Sequence, residues 1–225
     1  SSEKSEGQIK LINAASGQQI NHIILGENFY NITAIPLSDT LWLRFQKVDD
    51  DRYYIRQIEL QNAAPKAAAI STDTLPRLVS LGKSSFAAWE KNNKFYLTSL
   101  STGKSVSFHS ATKEIESWDV LGTHNNLLLA YVEGDSRIEG LSKIKYMSYT
   151  FGPSKLEKNW EHEIPFKDRH ISNLIWSDND SLTLNHTQWI DDEAILTRHF
   201  IQLKTGNKRS QNTGVLQNSQ YILSF

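Results

Sequence analysis

A short unit recurs along this chain: a hydrophobic run, a tight turn closing on Gly or Asn, then a second run. It is read in IKLINAASGQQINHII near the start, in FYLTSLSTGKSVSFHS (95–110) and in FIQLKTGNKRSQNTG (200–214). Gly suits the turn because a short hairpin needs a positive φ that costs any residue with a Cβ, and Asn is the next most tolerant. The turn residues are Gly17, Asn62, Gly103, Gly152 and Gly206, separated by 45, 41, 49 and 54 residues. A period of about 40 to 50 residues is that of four-stranded propeller blades.

Each period divides into four strand-length segments. ITAIPL, TLWLRFQK, YYIRQIEL and AAAIST fill the first, and LPRLVSL, SSFAAWEK, KFYLTSL and SVSFHS the second. IESWDVLG, NNLLLAYVEG, LSKIKYMSYT and LEKNWEHEI follow, then HISNLIWS, DSLTLNHTQWI, AILTRHFIQL and the polar NKRSQNT. Alternation marks several as half-buried strands: Leu41, Leu43 and Phe45 against Trp42, Arg44 and Gln46, and Leu182 and Leu184 against Thr183 and Asn185. No segment has a convincing helical period, so the class is all-β.

LIWSDNDSLTLNHTQWIDDEAILTRHFIQLKTG resembles the TolB-type and WD40-like propeller repeat, in which a Trp-Ser-x-Asp turn precedes an inner strand and a later strand ends in x-Thr-Gly. FYLTSLSTGKSV is similar to the quinoprotein-type repeat, with Val106 or Phe108 where that repeat has Trp. The resemblance implies a fold and leaves function open.

The expected architecture is a polar tether over residues 1–7 and one propeller domain over 8–225. Residues 8–25 supply the outer pair of strands of a blade, and Gly214–Phe225 its inner strands, so that the chain closes as five blades. Pairing first and last segments would protect the sheet edges. The alternative is a piece of a larger propeller.

In propeller topology the connections from second to third strand gather on one rim, and those from third to fourth on the other. The first set places Asp49, Asp50, Asp51, Glu133, Asp135, Glu139, Asp191, Asp192 and Glu193 together; the second carries Lys66, Lys104, Lys155, Lys204 and Lys208. A net charge of −1 can thus conceal an acidic rim and a basic one, although charged loop tips are also ordinary solvated groups. The near-neutral balance argues against a generic nucleic-acid or anionic-membrane binder, although a balanced total can hold a local basic face. Without cysteine there is no disulfide, thiolate nucleophile or Cys-based metal site. No apolar run has the roughly 18 residues that span a bilayer as a helix. The compartment is not fixed by this; the reading leans to an extracytoplasmic setting, periplasmic or secreted.

Motifs for chemistry are sparse. Gly82-Lys83-Ser84 lacks the glycine five positions earlier that a phosphate loop needs, and Asp178-Asn179-Asp180 lacks the glycine and closing glutamate of a calcium loop, so both read as hairpin turns. No histidines stand at His-x-His or His-x-x-x-His spacing, and His162, between Glu161 and Glu163, reads as a surface residue. Trp42, Trp89, Trp118, Trp160 and Trp176 read as packing between blades; Trp189, beside acidic residues, reads either as core packing, the more common role, or as an interface anchor.

The first expectation is therefore a non-catalytic module that binds a protein partner through Asp49, Asp50, Asp51, Asp135, Trp189, Asp191 and Asp192, without metal or cofactor. The alternative is a carbohydrate-active enzyme with a central pocket using Glu116 or Asp119, the only carboxylates within the proposed inner strands. A third is one part of a multi-subunit envelope or secretory assembly, held by its polar tether.

Overall fold

A computed structural model of the chain describes residues 6–27, 29–37, 40–47, 52–58, 70–134, 142–151, 155–166, 171–190, 193–203 and 207–216. Every regular element among them is a strand. The first two, β1 (Glu6–Ile12) and β2 (Gln19–Glu27), form an antiparallel pair. Four sheets of four strands follow. The first holds β3 (Phe29–Leu37), β4 (Thr40–Lys47), β5 (Tyr53–Ile58) and β6 (Ile70–Thr72). The second holds β7 (Arg77–Leu81), β8 (Ser84–Lys91), β9 (Lys94–Ser99) and β10 (Ser105–Ser110). The third holds β11 (Ile115–Gly122), β12 (Asn126–Glu133), β13 (Ser142–Phe151) and β14 (Leu156–Phe166). The last holds β15 (Ile171–Asp178), β16 (Ser181–Ile190), β17 (Glu193–Gln202) and β18 (Asn207–Leu216). Strand order in each sheet is chain order, a simple antiparallel meander.

The turns explain why the chain reverses where it does. Gly17 and Gly103 both have φ of 69°, the left-handed region the repeat required of glycine, and Gly82, in the hairpin turn between β7 and β8, has φ of 59°. Between β8 and β9 the two-residue turn is Asn92-Asn93, with φ of 54° and 61°, the pair of positive values a type I′ hairpin demands. Asn62, Gly152 and Gly206 lie outside the described residues.

The chain divides into two compact units, residues 1–109 and 110–225. In the first, Trp42, Ile55 and Ile70 of one sheet pack with Ala87 and Leu100 of the next. In the second, Leu128, Val132, Ile144 and Tyr146 of the third sheet meet Leu174, Trp176, Leu182, Leu184 and Ile201 of the fourth. Each core is thus one sheet laid on its neighbour, which is the packing of adjacent blades.

Two expectations are corrected. Four four-stranded sheets are present rather than five blades, with β1–β2 a separate pair among the described residues. Gly214 does not begin an inner strand: it continues β18, opposite Leu196, after a bulge that leaves Thr213 as the extra residue between Asn212 and Gly214. The glycine taken as a break is absorbed by that bulge; residues 217–225 lie outside the described set. The alternation in β4 also understates its burial, because Trp42 and Gln46 on one face and Leu43 and Phe45 on the other are all buried. A blade is covered on both sides, so period-two polarity fades.

Leu184 has no exposed surface and sits at the centre of the second unit's core. Leu184→Ala should lower unfolding stability by about 2–5 kcal/mol in a urea titration, whereas Val106→Ala, on an exposed face of β10, should change it by less than about 0.5 kcal/mol.

Candidate functional site

The strands around the expected acidic rim have a definite arrangement. In the second unit, Ser117 Oγ accepts from the Leu174 amide at 3.0 Å and Asp119 Oδ2 from the Trp176 amide at 2.9 Å. Both pairs are 57 residues apart, so β11 and β15 run side by side in the same direction. In two meanders whose first strands are parallel, every equivalent strand end falls on the same side. Glu133, which ends β12, and Ile190, which ends β16, therefore lie toward one rim of this unit. In the first unit Asp73 gives the same result by a different contact. It pairs with Arg52, just before β5, at 3.3 Å and with Lys91, which ends β8. The start of β5 and the end of β8 thus share a rim there. The Lys91 hydrogen bond first, then its charge, holds the Asp73 carboxyl below the usual carboxylate range.

Of the residues expected to bind, Asp49, Asp50, Asp51, Asp135, Asp191 and Asp192 lie outside the described residues. Trp189 lies in β16, opposite Ala194. On the other set of turns, Lys104 is exposed beside the Gly103 turn, and Lys155 approaches Glu157 at 3.8 Å. Lys66 and Lys204 are outside the described residues.

Glu133 corrects the reading of the rim. It is only 4% exposed and is no loop-tip charge. Its Oε1 accepts from the Thr112 amide at 2.6 Å, the Thr112 hydroxyl at 2.7 Å and the Lys113 amide at 3.0 Å. Its Oε2 pairs with Lys145 Nζ at 2.6 Å. Burial alone would raise this carboxyl; the Lys145 ammonium and the Thr112 and Lys113 donors outweigh it and hold it at about 2. The group ties the segment entering the third sheet to the end of β12.

Asp119 is likewise engaged, as the acceptor that joins two inner strands. Glu116 is the extra residue of a bulge, since Ile115 pairs with Glu133 and Ser117 with Val132.

Two groupings escaped the sequence reading. His186 and His199, from neighbouring strands β16 and β17, are both buried, with rings stacked 4.9 Å apart and Nδ1 of the first 2.7 Å from Nε2 of the second. His199 Nδ1 is 2.8 Å from the Ser210 hydroxyl. Strand pairing brings together histidines 13 residues apart, which no local spacing rule would find. Among the described residues no group of three His, Asp or Glu is placed to hold a metal ion.

The second grouping is a cleft of about 530 Å³ lined by Tyr146, Trp160, His162, Asn179, Asp180 and Leu203. Trp160, read as packing, is 37% exposed there. His162 is exposed as expected, beside it on the same face of β14. The Asp178-Asn179-Asp180 stretch is the hairpin turn anticipated, with Asp178 Oδ1 accepting from the Asp180 amide at 2.8 Å. Among the described residues no helix is long and apolar enough to cross a membrane.

Glu133 generates a pH prediction. A carboxyl lowered by folding stabilises the folded state above its unfolded value, near 4.5, and that stabilisation is lost as pH falls toward about 2. In urea titrations, the wild type should therefore lose stability on acidification from pH 5 to pH 2.5 more steeply than Glu133→Gln. The variant should start about 2–3 kcal/mol less stable at neutral pH.

No protein-family model matches the chain, and no curated protein matches it. Solved structures do. TolB from Acinetobacter baumannii is similar at 14% identity, over 91% of this chain and 48% of that one, with a TM-score of 0.50. The WD40 domain of SCAP from fission yeast is similar at 11% identity, over 97% and 61%, with a TM-score of 0.48. The β-propeller domain of the Trilobed protease from Pyrococcus furiosus is similar at 14% identity, over 83% and 58%, with a TM-score of 0.46. The chain spans about half to three fifths of the length of these structures. The blade-on-blade cores, the aligned inner strands and the likeness to TolB together give the fold: this chain is a β-propeller of four-stranded antiparallel blades.

Proposed function

We propose that this chain is a non-catalytic binding module whose second-to-third strand connections present acidic surfaces, one on each unit, to a protein partner. The observation that supports this most is the shared rim. In the first unit the Asp73 bridge holds the ends of the β4–β5 and β8–β9 connections together. In the second, the common direction of β11 and β15 aligns the ends of β12 and β16. The chain between those ends is acidic: Asp49, Asp50 and Asp51 in one case, Asp135, Asp191 and Asp192 in the other. Within the second unit, carboxylates from segments distant in sequence then act on a partner as one field, which steers encounter and sets orientation.

Asp119 supports a binding role over a glycosidase. An acid or base must be free to exchange protons with substrate, whereas this carboxylate accepts the Trp176 amide that joins neighbouring blades. Removing it would disturb the scaffold before any chemistry.

Affinity capture from native lysate tests the reading. The double variant Asp191→Lys and Asp192→Lys should lose the captured partner by about tenfold or more while its melting curve stays within a few degrees of wild type. Retention should also fall as salt rises from about 50 to 500 mM. Equal capture by the variant and the wild type at every salt would remove this surface from consideration.

A further inference from the structure

The cleft in the second unit has a composition that the acidic surface does not explain. Its first wall is the outer half of the third sheet. Trp160 and His162 alternate along β14 onto one face, their ring centroids 5.4 Å apart and tilted by 36°. Tyr146, directly across the ladder from His162, stands edge-on to Trp160 at 6.0 Å and 72°. Tyr146 is buried and braces the other two; Trp160 and His162 remain open. The opposite wall is the turn Asn179-Asp180, with Leu203 beside it. That wall is fixed at its backbone, because Asp178 Oδ1 accepts the Asp180 amide and the Asp180 carbonyl accepts the Leu203 amide at 2.8 Å.

The carboxylates nearest in sequence to these rings are turned to other tasks. Glu163 pairs with Lys143 at 2.8 Å and Glu161 with Lys158 at 2.6 Å. The aromatic wall is left as a half-exposed platform beside an amide and a carboxylate. Its volume of about 530 Å³ is in the usual range for a small-ligand site.

We infer that this cleft is a binding site for a neutral saccharide. A sugar ring offers an apolar C–H face and an equator of hydroxyl groups. The first lies flat on an indole; the second needs planar groups that both donate and accept. Trp160 supplies the platform, with His162 extending it. The Asn179 amide donates and accepts, and the Asp180 carboxylate accepts from hydroxyls. A quaternary ammonium ligand fits less well. It requires ring faces on several sides of an enclosed, desolvated site, whereas Tyr146 turns an edge to Trp160 and the cleft is open. The site depends neither on the acidic surface nor on any partner bound there.

Calorimetric titration of the full chain with maltotriose, cellotriose and chitotriose tests the inference, with tetramethylammonium chloride as the competing chemistry. At least one trisaccharide should bind with a millimolar or tighter Kd. Trp160→Ala should weaken that binding by about tenfold or more while leaving the far-ultraviolet dichroism unchanged. Asn179→Ala and Asp180→Asn, on an exposed turn whose backbone bonds they preserve, should each weaken it severalfold, and they decide the matter if the tryptophan variant does not fold. Binding of none of the three sugars, sugar binding indifferent to all three substitutions, or binding of the ammonium salt alone would each overturn the inference.

Discussion

The structure of each unit depends on how a blade's innermost strand disposes of its open edge. A four-stranded meander leaves backbone groups of its first strand without a ladder partner, and burying them unpaired costs as much as losing a hydrogen bond. In the second unit the answer is a side-chain graft. Ser117 and Asp119 reach from β11 to the Leu174 and Trp176 amides of β15. The two strands lie alongside without merging into a continuous sheet. That arrangement sets the direction of β15, and through the meander it sets the side on which each later turn emerges. Two acceptors on one strand therefore govern the placement of surface segments far from them.

The same constraint produces the cleft. Sheets held close at their first strands and packed through Leu128, Ala130, Leu182 and Leu184 must diverge outward, because each is twisted and the side chains between them fill only the inner part of the wedge. Burial falls across the third sheet accordingly: β12 is buried along nearly its whole length, whereas β14 is exposed over most of its own. Aromatic residues on an outer strand thus keep their stacking partners and lose their cover. Trp160 is in this position, held by Tyr146 and His162 and still open on one side.

How much of this was legible in the sequence follows from the range of each interaction. Turn residues and strand spans depend on neighbours a few positions away, and SSFAAWEK, SVSFHS, IESWDVLG and TLWLRFQK are strands from end to end. Burial of both faces of β4 was not legible, because it depends on a second sheet rather than on local alternation. Glu133 looked like another loop carboxylate, since nothing nearby in sequence announces Lys145 as its partner. The His186–His199 contact arises from pairing between β16 and β17, and the opening beside Trp160 from the spreading of two sheets. The bulge at Gly214 was hidden by the same residue type that elsewhere ends a strand.

The proposed acidic surface and the cleft differ in physical origin. The proposed acidic surface rests on charge alone, and a field summed over several carboxylates survives the loss of any one. The cleft has no such redundancy. Its platform is a single indole braced by a buried phenol, and its polar wall is one turn closed by one hydrogen bond from backbone to side chain and one between backbone groups. A substitution that inverts charge on the acidic surface leaves the wedge between the sheets intact, while one that fills or empties the wedge leaves the field unaltered. The two proposed sites can therefore vary independently, because one rests on charge at strand ends and the other on the geometry by which neighbouring blades part.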